Sequence, residues 1–214
     1  MRTRRQFLRL GFGGSIASLV LLGPLSTAGH WVWAAARKVL PRGTERDSLI
    51  QEDPAALDTT NLEITPLEKF GTMGTTNEVV DPTTWRLQVS GQVKKPLSLT
   101  LPQLTALPPV ERDVLLICPG FFANYGRWRG VSMRPLLEQA DPERTATQVR
   151  VESRDGKTVR YPLEDLLSGT VFLAYQVNGQ ALPRKHGFPL RVVAEGYYGS
   201  DWVKYVEKVT LERG

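Results

Sequence analysis

One cysteine occurs in the chain, Cys118, in the stretch LLICPGFFANYGRW, where an apolar run meets Pro119-Gly120. A thiol in that position can be a small buried hydrophobe, a nucleophile or a soft metal ligand. A nucleophile needs a base, and the sequence holds two histidines. His30 lies near the N-terminus and His186 in a Gly-Pro loop far downstream, and no spacing pairs either with Cys118. One thiol and one imidazole are too few donors for a zinc site. A metal held mostly by an organic cofactor would need only a single thiolate from the protein, and thiolate suits a polarisable, redox-active centre.

The elements that must position such a thiol read as short strands. TWRLQVSG alternates Trp85, Leu87 and Val89 on one face, and KKPLSLTLPQL continues the strand signal with proline punctuation. Val114 to Ile117 is an apolar strand ending at Cys118. VSMRPLLEQA predicts a helix with Ser132 as N-cap, Pro135 in the first turn, and Leu136 and Leu137 inward. TQVRVESRDGKTVRYP predicts a hairpin turning at Asp155-Gly156, and PLEDLLSG a short helix ended by Gly169. TVFLAYQVNGQALP is a strand closed by Asn178-Gly179. The pattern predicts a β-rich mixed α+β domain, without the strand-helix alternation of a doubly wound sheet.

Charge and the N-terminus bound the partners. Residues 1–46 hold eight Lys/Arg against one Glu, and the rest is slightly acidic, so the net +5 argues against nucleic acid. The leader TRRQFLRLGFGGSIASLVLLGPLSTAG places Arg4-Arg5 ahead of an uncharged stretch diluted by Gly and Ser, too short for a strongly apolar span. It reads as a twin-arginine export signal engaging that export machinery, over residues 1–36. Ala34-Ala35-Ala36 would suit cleavage, while Trp31 and Trp33 would suit retention as a membrane anchor. Residues 37–64 read as a linker or an extended arm, and 65–214 as the main folded domain. A lone thiol excludes internal disulfides.

Four blocks in register carry a family resemblance: TPLEKFG, WRLQVSGQVKKPLSLTLPQL, LLICPG with WRGVSMRPLLEQA, and LAYQVNGQALPRKHGFPLRVVAEGYYGSDWVKYVEKVTL. From about Thr65 onward the chain resembles the molybdopterin-binding domain of the sulfite oxidase family, especially its stand-alone exported members. The resemblance implies a molybdenum-molybdopterin cofactor with Cys118 as ligand to the metal. It also implies cofactor contacts from Thr65, Glu68, Lys69, Ser153, His186, Arg191, Trp202, Val203 and Lys204. Their chemistry is apt: Arg offers a fixed fork to a phosphate and Lys a point charge, while Gly187, Gly196 and Gly199 admit close backbone approach. Glu68 would contribute by its backbone, since an acid beside an anion is unfavourable.

The implied activity is two-electron oxygen-atom transfer on a small substrate, with electrons passed to a separate carrier such as a membrane haem protein. No haem-attachment cysteine pair or flavin fingerprint occurs in the chain. The dimerisation domain of full-length sulfite oxidases does not follow KVTLERG, so a monomer in the periplasm is expected. Phe121 and Phe122 follow Cys118 where sulfite oxidases place an Asn and paired arginines, which predicts a substrate other than sulfite, sulfoxide-like or another oxo-donor. Trp128, Tyr197 and Tyr198 are expected to be core or pocket wall. The rivals are a metal-free thiol enzyme using Cys118 with His186, and a non-catalytic binding module on the same scaffold.

Overall fold

The structure is a computed structural model, and it describes residues 36–214. The twin-arginine pair, its apolar stretch, Trp31 and Trp33 lie outside the described residues. In chain order the strands and helices are β1 (Lys38–Val39), β2 (Leu57–Asp58), β3 (Arg86–Gly91), β4 (Leu97–Thr100), α1 (Leu101–Thr105), β5 (Pro109–Cys118), β6 (Phe122–Ser132), α2 (Met133–Ala140), β7 (Gln148–Ser153), β8 (Thr158–Pro162), α3 (Leu163–Ser168), β9 (Val171–Val177), β10 (Gln180–Ala181), β11 (Arg191–Ala194) and β12 (Val206–Glu212). Short 3-10 turns punctuate the connections.

Two five-stranded sheets result. One runs β10-β9-β6-β5, with β11 also paired to β9; the other runs β4-β3-β12-β7-β8. The second is mixed, because β12 lies parallel to β3 and antiparallel to β7. The alternation read at TWRLQVSG is realised: Leu87 and Val89 are fully buried beside Trp85, while Arg86 and Gln88 face out. In β12, Val206 and Val209 are both buried although three apart. A bulge between Val206 and Lys208 resets the alternation and permits this.

The strand before the thiol is longer than its apolar part. β5 forms a ten-residue antiparallel ladder with β6, from Pro109 opposite Val131 to Cys118 opposite Phe122. Val114 to Ile117 are all buried because both faces of the hairpin are covered. Val114 and Leu116 join the main core with Trp128. Leu115, Ile117, Ala123 and Tyr125 pack on the other side against Leu40, Leu49 and Leu57 of residues 36–64. Those residues are therefore an arm with a core of its own, tied in by β1 pairing with β2.

Three local features position the hairpin. Its turn is closed by Phe121 N–H donating to Cys118 O at 3.0 Å, with Gly120 at φ +77°, the geometry that Pro-Gly favours. Gly120 N–H also donates to Ile50 O of the arm at 3.0 Å. At Gly130, where the β6–β9 ladder shifts register, a Cβ would fall 1.9 Å from Leu173 O, so only glycine lets β9 approach.

The predicted helices form. Ser132 accepts from Arg134 N–H at 3.3 Å and caps α2, whose Leu136 and Leu137 are fully buried, and Gly169 ends α3 at φ +89°. Leu101–Thr105 departs from the strand reading. Thr100 and Gln103 close a capping box there and Pro102 fits the first turn, so the chain turns helical after β4.

Candidate active site: a cavity at the thiol end of the hairpin

A cavity of about 300 Å³ opens beside Cys118. Four parts of the chain wall it. The hairpin gives Leu116, Cys118, Phe122 and Asn124; the β7–β8 turn gives Asp155 and Lys157; residues 71–75 cover one side; Arg191, Gly199, Trp202 and Lys204 complete it.

At the cavity rim, Cys118 is half-buried with its Sγ 3.8 Å from Met73 Sδ. Burial pushes the thiol pKa up, and Lys157 pulls weakly the other way. Among the described residues no base is hydrogen-bonded to it, and His186 is buried and packed edge-on against Phe70. A coordinating metal would work against that shift and favour the thiolate. A Cys-His nucleophile finds no support in this arrangement.

Deeper in, the cations Arg191 and Lys204 share the wall with a single carboxylate, Asp155. Arg191 is 5% exposed, and among the described residues it pairs with no carboxylate. Its Nη1 donates to His186 O at 3.1 Å and its Nε to Val192 O at 3.3 Å. Burial lowers its pKa to about 10, so it stays charged at neutral pH. Lys204 Nζ donates to Met73 O at 2.9 Å, Lys185 O at 3.3 Å, Thr72 Oγ1 at 3.4 Å and Thr75 O, joining the 71–75 segment to the Arg184–His186 turn. Burial and then Arg191 hold its pKa down to about 8. Among the described residues His186 Nε2 is buried with no partner, and burial followed by Arg191 depresses its pKa to about 4. The Arg191 guanidinium and the Lys204 ammonium, with only Asp155 as a carboxylate on the same wall, favour an anion there.

Of the residues expected to contact a cofactor, the structure brings Cys118, Arg191, Trp202 and Lys204 onto the cavity wall. His186 backs Arg191, and buried Ser153 donates to Asp155, which lines the cavity. Val203 is buried between Trp202 and Lys204 with its backbone oxygen accepting from Val192 N–H. Thr65, Glu68 and Lys69 stand off the cavity. The Thr65 hydroxyl accepts from Tyr125 N–H, and its backbone is bonded to Tyr125 and Asn178. Glu68 and Lys69 are exposed on a 3-10 turn.

Sequence reading missed residues 71–75 and Asn124. The Asn124 amide is buried and clamps Gly71 at both ends, donating to its O at 2.9 Å and accepting from its N–H at 3.0 Å. An Asn among buried strand positions was the available signal. Arg127 and Arg129 face away, paired with Asp113 at 2.8 Å and Glu111 at 3.8 Å. Trp128 is core, Tyr197 is half-buried and Tyr198 is exposed.

Residues 73–214 match the family described as oxidoreductase molybdopterin binding domain. The chain belongs to this family. As an oxidoreductase of the molybdopterin class, it carries molybdenum-molybdopterin as its cofactor. Its relatives include the protein-methionine-sulfoxide reductase catalytic subunit MsrP of Gluconobacter oxydans (strain 621H), 28% identical over 155 residues that cover 64% of this chain and 50% of that protein. The uncharacterized oxidoreductase YuiH of Bacillus subtilis (strain 168) is 34% identical over 131 residues, 59% of this chain and 66% of that one. Mitochondrial sulfite oxidase of Rattus norvegicus is 32% identical over 163 residues, 62% of this chain and 30% of that one. Each relative is thus longer than the part the molybdopterin domain spans. Among solved structures, the sulfane dehydrogenase SoxCD from Paracoccus pantotrophus superposes with a TM-score of 0.61 at 20% identity, over 95% of this chain and 56% of that one, which shows the shared fold.

The molybdopterin family and this cavity agree. Among the described residues no three His, Cys, Asp or Glu gather to hold a metal ion. The soft thiol at the rim suits molybdenum, and Arg191, which pairs with no carboxylate among the described residues, together with Lys204 suits an anionic pterin.

Proposed function

We propose that this chain is an exported oxidoreductase acting by two-electron oxygen-atom transfer on a small, weakly charged substrate of the sulfoxide or related oxo-donor class, and that sulfite is not that substrate. One observation carries the reading: exposed apolar side chains cluster in the segments around Cys118, where the charged groups are the opposed pair Lys157 and Asp155. Met73, Phe121 and Tyr198 are three of the five exposed large hydrophobics among the described residues. Met73 meets the thiol through its sulfur, Phe121 lies in the hairpin turn that follows it, and Tyr198 precedes Gly199, whose Cβ would stand 3.6 Å from Cys118 Cα. The one mouth cation, Lys157, is accompanied by the Asp155 carboxylate. A dianion entering there would lose hydration and gain little.

Bound at Cys118, the cofactor supplies a two-electron redox centre able to give or take an oxygen atom. The protein's own groups do the rest. The Cys118 thiolate would fix the metal to the hairpin, Arg191 and Lys204 would offer the charge for the cofactor's anionic groups, and Phe122 and Met73 would limit water at the rim. The MsrP name supports a sulfoxide as substrate class, and the Arg4-Arg5 leader supports export by the twin-arginine route to the periplasm. The proposal includes exchange of electrons with a separate carrier, such as a membrane haem protein.

The test uses protein purified with its cofactor from an exporting host. Alkyl aryl sulfoxides with a reduced viologen donor, and sulfite with ferricyanide as acceptor, are compared by kcat/KM. The expected result is sulfoxide turnover with sulfite at least about tenfold poorer, corresponding to about 1.4 kcal/mol of discrimination. Efficient sulfite oxidation without sulfoxide turnover overturns the reading.

A further inference from the structure

Arg191 poses a question about positioning. A buried cation is ordinarily held by a carboxylate, which orients it and also cancels its charge. Here the oriented partners are two neutral backbone oxygens, and the remaining contact is aromatic. The guanidinium carbon lies 4.9 Å from the Trp128 ring centre and 5.4 Å from that of Trp202. The two indoles meet at 67° with centres 5.5 Å apart, so they form a corner in which the guanidinium sits. Indole faces attract a desolvated guanidinium more strongly than other aromatic faces do.

Trp202 lines the cavity, whereas Trp128 lies behind, fully buried. Its Nε1–H donates to Val114 O at 3.2 Å, which fixes the ring against β5. The space it fills is shaped for it: a Cβ at Gly126 would come within 2.9 Å of the Phe70 ring and 3.1 Å of Trp128 Nε1. Phe70 packs on Trp128 at 5.9 Å and on His186 at 5.7 Å, so one aromatic cluster supports both the guanidinium and the orphaned imidazole.

We propose that Trp128 is a positioning residue for the cofactor's anion site, holding the Arg191 guanidinium aimed and charged without neutralising it. A carboxylate in its place would hold Arg191 as firmly but would compete with the anion for its hydrogen-bond donors. The aromatic corner leaves the full unit charge for the cavity. This inference rests on the molybdopterin cofactor and is independent of which substrate the enzyme takes.

The test follows release of the pterin from purified holoprotein at fixed mild temperature, read by fluorescence of the oxidised pterin. Each variant's thermal midpoint is measured alongside. Trp128→Leu is expected to speed release about tenfold, the loss of a desolvated cation–π contact, and Trp128→Phe only a few-fold because a ring face remains. Arg191→Gln is expected to speed release by itself, and adding Trp128→Leu to it to change the rate by less than about twofold, since residues acting through one another do not add. A purely structural Trp128 would accelerate release by the same factor in both backgrounds. That outcome, or release from Trp128→Leu at the wild-type rate, overturns the proposal. If Trp128→Leu does not accumulate as folded protein, Trp128→Phe carries the same comparison, with a smaller acceleration that must vanish in the Arg191→Gln background.

Discussion

Cys118 does its work by being the last residue of a strand. Being half-buried, and with its pKa raised by burial, it is a poor nucleophile, yet its sulfur opens onto a cavity ready to be coordinated. Cys118→Ala should leave the fold intact, since a small side chain at a strand end removes little packing. It should abolish bound molybdenum, which elemental analysis of protein from a cofactor-making host will show. His186 offers a second residue-level prediction. Its pKa of about 4 lies below the ordinary value of about 6.5, so the fold favours the neutral ring. The stability this contributes is fully present above pH of about 6.5 and is lost as pH falls toward 4. In the cofactor-free chain, the thermal midpoint should therefore drop more steeply across that window than in His186→Gln. An anion seated beside the ring would oppose the shift.

At the scale of elements, the hairpin of β5 and β6 is the part that positions the thiol, and β9 is the strand against which it is built. Gly130 is where that contact is closest, with Leu173 O occupying the space of a side chain. Gly130→Ala should lower stability by about 3 kcal/mol, the upper end for overpacking, because backbone and not a pliable side chain must move. Denaturant unfolding will show the loss as a shifted midpoint. The same strand explains what the sequence hid. β3 was readable because one face is buried and one exposed, so Leu87 and Val89 alternate with polar neighbours. β6 carries glycines at 126 and 130 and is buried on both faces over much of its length, which removes the alternation. The short helix at Leu101 was disguised by its prolines, although Thr100 and Gln103 spelled its capping box.

Over the whole molecule, the residues legible in the sequence were those that act through distinctive side chains. Cys118, Arg191, Trp202 and Lys204 reach one cavity from the hairpin, β11 and the segment before β12. What stayed hidden acts through backbone. Residues 72–75 meet Lys204 mainly by carbonyl oxygens, and Thr, Gly and Met in a loop carry no pattern that announces this. The 37–64 segment was legible as a linker or an extended arm, but its packing was not: its three anchoring leucines are too far apart for any helical or strand period, and only the covered face of β5 reveals their purpose.

The sheet holding β12 has a temporal implication. That strand lies between β3 and β7, so the sheet stays split until residues 206–212 have left the ribosome. Arg191, Trp202 and Lys204 emerge only shortly before. A nascent chain therefore has thiol and hairpin in hand long before it owns the cationic half of the cavity, and both halves of the pterin's grip coexist only once residues 191–204 have followed the hairpin out and β12 can close the sheet.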